Sequence, residues 1–142
     1  VNAFCVRCAK KRLKSMVVVK EQSEVGALFR KVVARELRRH PIEMITSPIK
    51  TTATFYVHRQ RVVRAGVELD RWVPSHSTIV PIHHGSGDIE KHVRTVHDAM
   101  QDAGVFVEDC QVSDADVRKR WASDVHPPGL AVVVSEITEE DL

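Results

Sequence analysis

Cys5-Val6-Arg7-Cys8 has the spacing of half a zinc site, because two thiolates separated by two residues can grip one tetrahedral ion. The other half is missing: the third cysteine, Cys110, has no histidine at ligand spacing. Cys5 and Cys8 are the candidates for a metal, held within the chain or shared with another chain, and reduced thiols in a basic arm are the preferred reading. His83-His84 precedes the turn Gly85-Ser86-Gly87, but a general base needs an oriented partner and a nucleophile within hydrogen-bond reach, and no motif supplies them. His92 and His97 stand five apart on an expected helix, outside the spacing of three or four that would align a metal pair. Gly85-Ser86-Gly87 ahead of a helix could cradle a phosphate on free N–H groups. It lacks both the Gly-Lys-Ser/Thr of a phosphate loop and the three spaced glycines of a dinucleotide site, so a helix-start turn is preferred. No catalysis, metal, cofactor or small-molecule substrate is expected.

The cations carry a stronger signal because they are numerous and unevenly placed. Residues 1 to 72 hold 16 Lys/Arg against 6 Asp/Glu, whereas residues 73 to 142 hold 5 against 13, although the whole chain is only +2. Arg30, Lys31, Arg35, Arg38 and Arg39 fall on the polar side of an expected helix, and Lys50, His58, Arg59, Arg61 and Arg64 crowd an expected hairpin and its loop. Such groups neutralise phosphates and release counterions, which makes a nucleic-acid backbone the natural partner. Arg7, Lys10, Lys11, Arg12 and Lys14 occur among residues 1 to 14 without an acid, as beside a mitochondrial transit peptide or in an RNA-binding arm.

The elements that must position these residues follow from length and periodicity. A chain of 142 residues, 43% hydrophobic and 28% charged, can bury a core, and no apolar run reaches bilayer length. Three cysteines, an odd number, argue against a disulfide framework. Val17-Val18-Val19 predicts a strand over residues 16 to 20. Val25, Leu28, Phe29, Val32, Val33 and Leu37 predict an amphipathic helix ending before Pro41. Residues 42 to 63 read as extended with a bend at Pro48, and residues 73 to 82 as the returning strand. Asp88 and Gly104 bracket a second helix. Residues 105 to 110 read as a strand and residues 130 to 134 as the last one. Ser113 to Asp116, followed by Val117 and Trp121, predict a third helix. The expected fold is α+β: a ferredoxin-like βαββαβ sandwich with a long basic hairpin loop and a C-terminal helix-strand extension. The expected division is a basic arm over 1–15, the domain over 16–112 and an extension with an acidic tail over 113–142.

With the residues in this order, the chain resembles the small-subunit ribosomal protein S-ten family over residues 16 to 111. Ser47-Pro48-Ile49-Lys50 is similar to the family's proline-containing turn, Thr54-Phe55-Tyr56-Val57 to its aromatic strand, and Glu68-Leu69-Asp70-Arg71 to the segment after its loop. Gly85-Ser86 and Ala103-Gly104-Val105-Phe106-Val107-Glu108 resemble the approach to the second helix and the last strand. The family's Ser-Pro-His segment and Ser/His-Arg pair are replaced by His58-Arg59-Gln60-Arg61-Val62-Val63-Arg64, so individual RNA contacts do not carry over. The resemblance implies a structural constituent of the small ribosomal subunit that binds rRNA and neighbouring proteins. The expected site is the mitochondrial matrix, or the cytoplasm if the protein is not organellar.

In the second half, residues 78 to 82, the helix from Asp88, residues 104 to 109, the expected helix with Arg118 and Arg120, and residues 130 to 134 also resemble the anticodon-binding domain of class II aminoacyl-tRNA synthetases, which implies tRNA binding through a mixed sheet with a parallel core. Antiparallel pairing of residues 42 to 63 with 73 to 82 would favour the ribosomal reading. A metal-dependent enzyme built on Cys5, Cys8 and the histidines, and a protein-only assembly factor working through the acidic tail, are the remaining readings.

Overall fold

The computed structural model describes residues 3–7, 13–19, 26–40 and 42–142, with side chains from Phe29 onward. Residues 8 to 12 lie outside the described set, as do the side chains of Cys5, Arg7 and Lys14, so the Cys5/Cys8 pair and the basic residues of the expected arm receive no structural account.

The chain is a mixed α+β fold with two helices and two sheets. Its strands are β1 (Ala3–Arg7), β2 (Leu13–Val19), β3 (Ile49–Val57), β4 (Arg61–Arg64), β5 (Val67–Trp72), β6 (Val112–Trp121) and β7 (Gly129–Glu136), and its helices are α1 (Gly26–Arg38) and α2 (Ile89–Asp102). The main sheet has the order β1-β2-β7-β3-β6, and β4 and β5 form a separate hairpin. β7 is antiparallel to both β2 and β3, so those two run parallel without touching, with α1 crossing between them. β6 lies parallel to β3, and α2 makes that crossover.

Both helices cover one face of the sheet. Phe29, Val33 and Leu37 of α1 and Val96, Ala99 and Met100 of α2 meet Ile49, Ala53 and Phe55 of β3 and Leu130, Val132 and Val134 of β7. In register, Ala53 opposes Val132 and Phe55 opposes Leu130, so the period of two places one buried row on each strand. The other face, with Thr54, Tyr56, Arg118 and Arg120, carries no helix layer. Among the described residues, no helix is long and apolar enough to cross a membrane.

The expected α2 is present with its signals in place. Asp88 accepts from the Glu90 N–H through its side chain at 3.1 Å. At the other end, Val105 N–H donates to the Met100 carbonyl and Gly104 N–H to that of Gln101, and Gly104 takes φ +74, which together make a Schellman closure.

Three expected elements are replaced. Residues 73 to 82 do not pair with β3. Pro74 and Pro81 lack the N–H that a ladder needs, and the segment holds a 3-10 turn at Pro74–His76. Residues 105 to 110 form no strand: Val105 and Phe106 are buried behind the helix stop, joined to Ile45 by one isolated bridge. The expected third helix is strand β6. Val117 and Trp121 are four apart, a spacing that fits either period, and pairing with β3 selects the extended form. The ferredoxin-like order therefore does not hold. The strands of the expected extension join the main sheet, β7 between β2 and β3 and β6 at its edge.

Replacing Gly104 by Ala forces a β-carbon into a left-handed backbone, where only ordinary contact with Met44 awaits it at 3.7 Å. The Gly104→Ala protein is expected to lose about 1–2 kcal/mol of stability in urea unfolding, from backbone strain alone.

Candidate nucleic-acid interface

Parallel pairing of β3 with β6 sets Val57 beside Trp121, so the two strands end together. The chain then leaves β3 through His58, Arg59 and Gln60 into the β4–β5 hairpin, whose turn at Ala65-Gly66 holds both residues at positive φ, 50 and 76. Such mirror-image turns match the twist of the flanking strands. A register shift between Arg61 and Val63 marks a bulge, and Arg61 is paired with Trp72.

This end of the molecule gathers rings and guanidinium groups. The Arg59 guanidinium carbon lies 4.1 Å from the Trp72 ring centre and 5.3 Å from that of Trp121, and the Arg61 carbon is 4.5 Å from Trp72. Arg59 is fixed further by donating to the carbonyls of His76 at 2.8 Å and Thr78 at 3.4 Å. Those acceptors satisfy its N–H groups without cancelling its charge. Trp121 donates its indole N–H to the Thr78 carbonyl at 2.7 Å, so the turn after Pro74 holds both partners of the stack. His83 stacks on Trp121 with an interplanar angle of 6°, and His76 lies 4.2 Å from His83. Each guanidinium-on-indole contact adds about 0.5–2 kcal/mol according to its exposure.

An open groove of about 580 Å³ runs along this cluster, lined by His58, Arg59, Gln60, Arg61, Val63, Glu68 and Trp72. Arg64 and Arg71 are exposed on the same hairpin. On the open face of the sheet, Tyr56 stacks on His126 at 4.7 Å and lies beside Arg120 in the β3–β6 register. Rings and guanidinium planes together offer stacking surfaces for bases and charge for phosphates.

The structure does not bring the ten expected RNA-binding residues together. Arg30 donates to both carboxylate oxygens of Asp102, at 2.6 and 2.8 Å, and to Asp98 at 3.2 Å. This pairing raises the Arg30 guanidinium pKa and lowers that of the Asp102 carboxyl. Arg38 donates to the Asp102 carbonyl, and Arg35 and Arg39 flank the buried Glu36 at 3.6 and 2.8 Å. Thus Arg30, Arg35 and Arg38 of α1, and Arg39 just after it, hold the helix pair or the acid of α1, and Lys31 is exposed. Lys50 sits at the start of β3, at the far end of the strand from Val57, with Asp114 opposite it. His58, Arg59, Arg61 and Arg64 remain as one site, in which Arg61 also pairs with Asp70. Trp72, His76, His83 and Trp121 were not expected there. The chain has only two tryptophans, and each directly follows an arginine in sequence, which was the available signal.

Three histidines are held by contacts within the fold. Gln60 N–H donates to His76 Nδ1 at 2.9 Å, and burial lowers the His76 pKa, with His83, His58 and Arg59 adding to the effect. His97 Nε2 lies 2.9 Å from the hydroxyl of buried Thr51, and burial lowers its pKa as well. His92 stacks on Phe55 at 4.4 Å, and its Nε2 lies 2.9 Å from the Ser86 carbonyl. The Gly85-Ser86-Gly87 turn is not a free phosphate cradle: Ser86 and Gly87 N–H groups donate to the carbonyls of His83 and His84, and Lys119 holds the Ser86 hydroxyl and the Gly87 carbonyl at 2.9 and 3.0 Å. A β-carbon at Gly87 would collide with the His92 ring, so Gly is required there. Cys110 is exposed and free, its thiol pKa raised first by the hydrogen bond to Glu108. Among the described residues, no three His, Cys, Asp or Glu side chains are placed to hold a metal ion.

No protein-family model matches the chain, and no curated protein matches its sequence.

Because His76 and His97 are held neutral below their ordinary value of 6.5, the unfolded chain binds protons that the folded one refuses. Their contribution to stability is complete above pH 6.5 and is lost as pH falls through the lowered folded values. Urea midpoints measured from neutral to mildly acidic pH are expected to drop. His76→Asn, whose Oδ1 can accept from Gln60, is expected to flatten that drop, with the remainder due to His97.

Proposed function

We propose that this chain is a non-catalytic RNA-binding domain that grips an unpaired RNA segment at the hairpin end of its sheet. The observation that carries this reading is Arg59, held between Trp72 and Trp121 by contacts that orient its guanidinium and leave its charge available. Bases stack on the indole and guanidinium planes, while Arg64 and Arg71 meet phosphates. Stacking is tolerant of sequence and phosphate contacts are sensitive to salt, so the domain reads single-strandedness rather than a motif.

Two targets follow from the two resemblances. One is rRNA of the small ribosomal subunit, in the mitochondrial matrix, with other subunit proteins as neighbours. The other is tRNA, held in the manner of an anticodon-binding domain. A mixed sheet with β3 parallel to β6, and the lack of pairing between β3 and residues 73 to 82, favour the tRNA form. Sedimentation of the tagged protein from extract separates the two: co-migration with the small subunit supports rRNA, and recovery of tRNA in a light fraction supports the alternative.

Binding itself is read by fluorescence anisotropy with a labelled oligouridine. Trp72→Ala is expected to weaken binding by about 1–3 kcal/mol, the usual worth of one stacked base. Arg59→Glu with Arg64→Glu is expected to weaken binding by roughly tenfold or more and to lower the slope of log K against log salt by about 0.7 for each phosphate no longer neutralised. Lys31→Glu, on the helix away from the hairpin, is expected to change little. Equal losses from Lys31→Glu and the hairpin variants would overturn the location of the site.

A further inference from the structure

β6 is a ten-residue strand at the edge of the main sheet, and among the described residues no strand pairs with its outer side. A long open edge invites another strand, and charges placed along it ordinarily prevent that. Here the charges are sorted by sign. Asp114 and Asp116 precede Val117, and Arg118 and Arg120 follow it, all four on the face without helices. Within the single chain Arg118 turns back to pair with Asp116 of its own strand. Beside the same stretch lies an open groove of about 380 Å³ lined by Val80, Ile82, Ile89 and Val117 together with the cations of β6. Ile82 is 69% exposed and Ile89 37%, which is costly for apolar side chains left in water.

We propose that the β6 edge is the contact by which two copies of this chain form a symmetric antiparallel dimer, with the two-fold axis at Val117. Directly opposite residues in an antiparallel pair share a face, so this register sets Asp116 against Arg118 of the second copy and Asp114 against its Arg120. Both pairs occur twice by symmetry. Sliding the register by two residues opposes Asp116 to Asp116 or Arg118 to Arg118. Parallel pairing in register opposes every charge to its like. A slip of one residue puts the charged row on the wrong face. One arrangement alone satisfies all four charges, so a sequence that protects its edge against strands in general is complementary to its own copy. In that arrangement Val117 meets its counterpart at the axis, and the apolar groove lined by Ile82 and Ile89 is drawn toward the interface.

The inference is independent of RNA binding and is tested without RNA, by sedimentation velocity on the full chain. The wild-type protein is expected to associate to a dimer between micromolar and submillimolar concentration, and added salt is expected to weaken the association. Asp114→Arg with Asp116→Arg makes the charged row on the open face all basic, and Arg118→Asp with Arg120→Asp makes that row all acidic. Each variant, with folding checked by circular dichroism, is expected to stay monomeric alone, and the equimolar mixture is expected to dimerise again. Ile82→Asp, at an exposed position outside the core, is expected to weaken wild-type association at least tenfold. A monomeric wild-type chain throughout the range, or charge variants that each self-associate as tightly as wild type, would overturn the proposal.

Discussion

The fold depends on one insertion: β7 lies between β2 and β3 and is the common hydrogen-bonding partner of both. Until residues 129 to 136 pair, the β2–α1–β3 unit has two parallel strands with a gap between them, and the buried row Leu130, Val132 and Val134 is missing from the middle of the core. Nearly everything that strand touches is distant in sequence, since it follows every other strand in the chain. The loop-closure cost must therefore be met before the strongest packing is gained, which makes this a slow-folding topology for its size. It also ties the C-terminal part of the chain to the same core as the N-terminal part.

The second dependency concerns the site. β3 carries the chain to Val57 and β6 carries it to Trp121, and because they run parallel the two ends coincide. Had β6 been antiparallel to β3, Trp121 would lie at the opposite end of the sheet, far from Arg59. The crossover through α2 is what brings a tryptophan of the second half to an arginine of the first. The segment over residues 74 to 78, which forms no strand, becomes the fixture that supplies the His76 carbonyl to Arg59, the Thr78 carbonyl to Trp121 and an imidazole acceptor to Gln60.

What the sequence made legible was local. α1 and α2 announce themselves through the 3.6-residue period, Asp88 and Gly104 are a cap and a stop, and Val132-Val133-Val134 is plainly a strand. What it hid was partnership. Nothing within residues 129 to 136 says that they belong between β2 and β3, and Val117 with Trp121 satisfies a helical and an extended period alike. The site divides the same way. Arg59 and Arg61 were visible as charge in a loop, whereas Trp72, His76 and Trp121 become their neighbours only through tertiary pairing. The α1 cations were visible too, but not their partners: Arg30 is taken by acids of α2, and Arg35 by Glu36 of its own helix.

The charge asymmetry between the two halves takes on a different meaning from this arrangement. A +10 segment followed by a −8 segment reads, along the chain, as two surfaces for two partners. In three dimensions part of that contrast is met internally. Arg30 is clamped by Asp98 and Asp102, and Arg38 reaches the carbonyl of the same Asp102, so two cations of α1 hold it beside the end of α2. Pairs this exposed add little stability each, but they fix which faces meet. The number of cations in a segment is then a poor guide to where a polyanion binds. The better guide is what each guanidinium already touches: at Arg30 the partners are carboxylates, whereas at Arg59 they are carbonyls and indole rings, which position the charge without neutralising it.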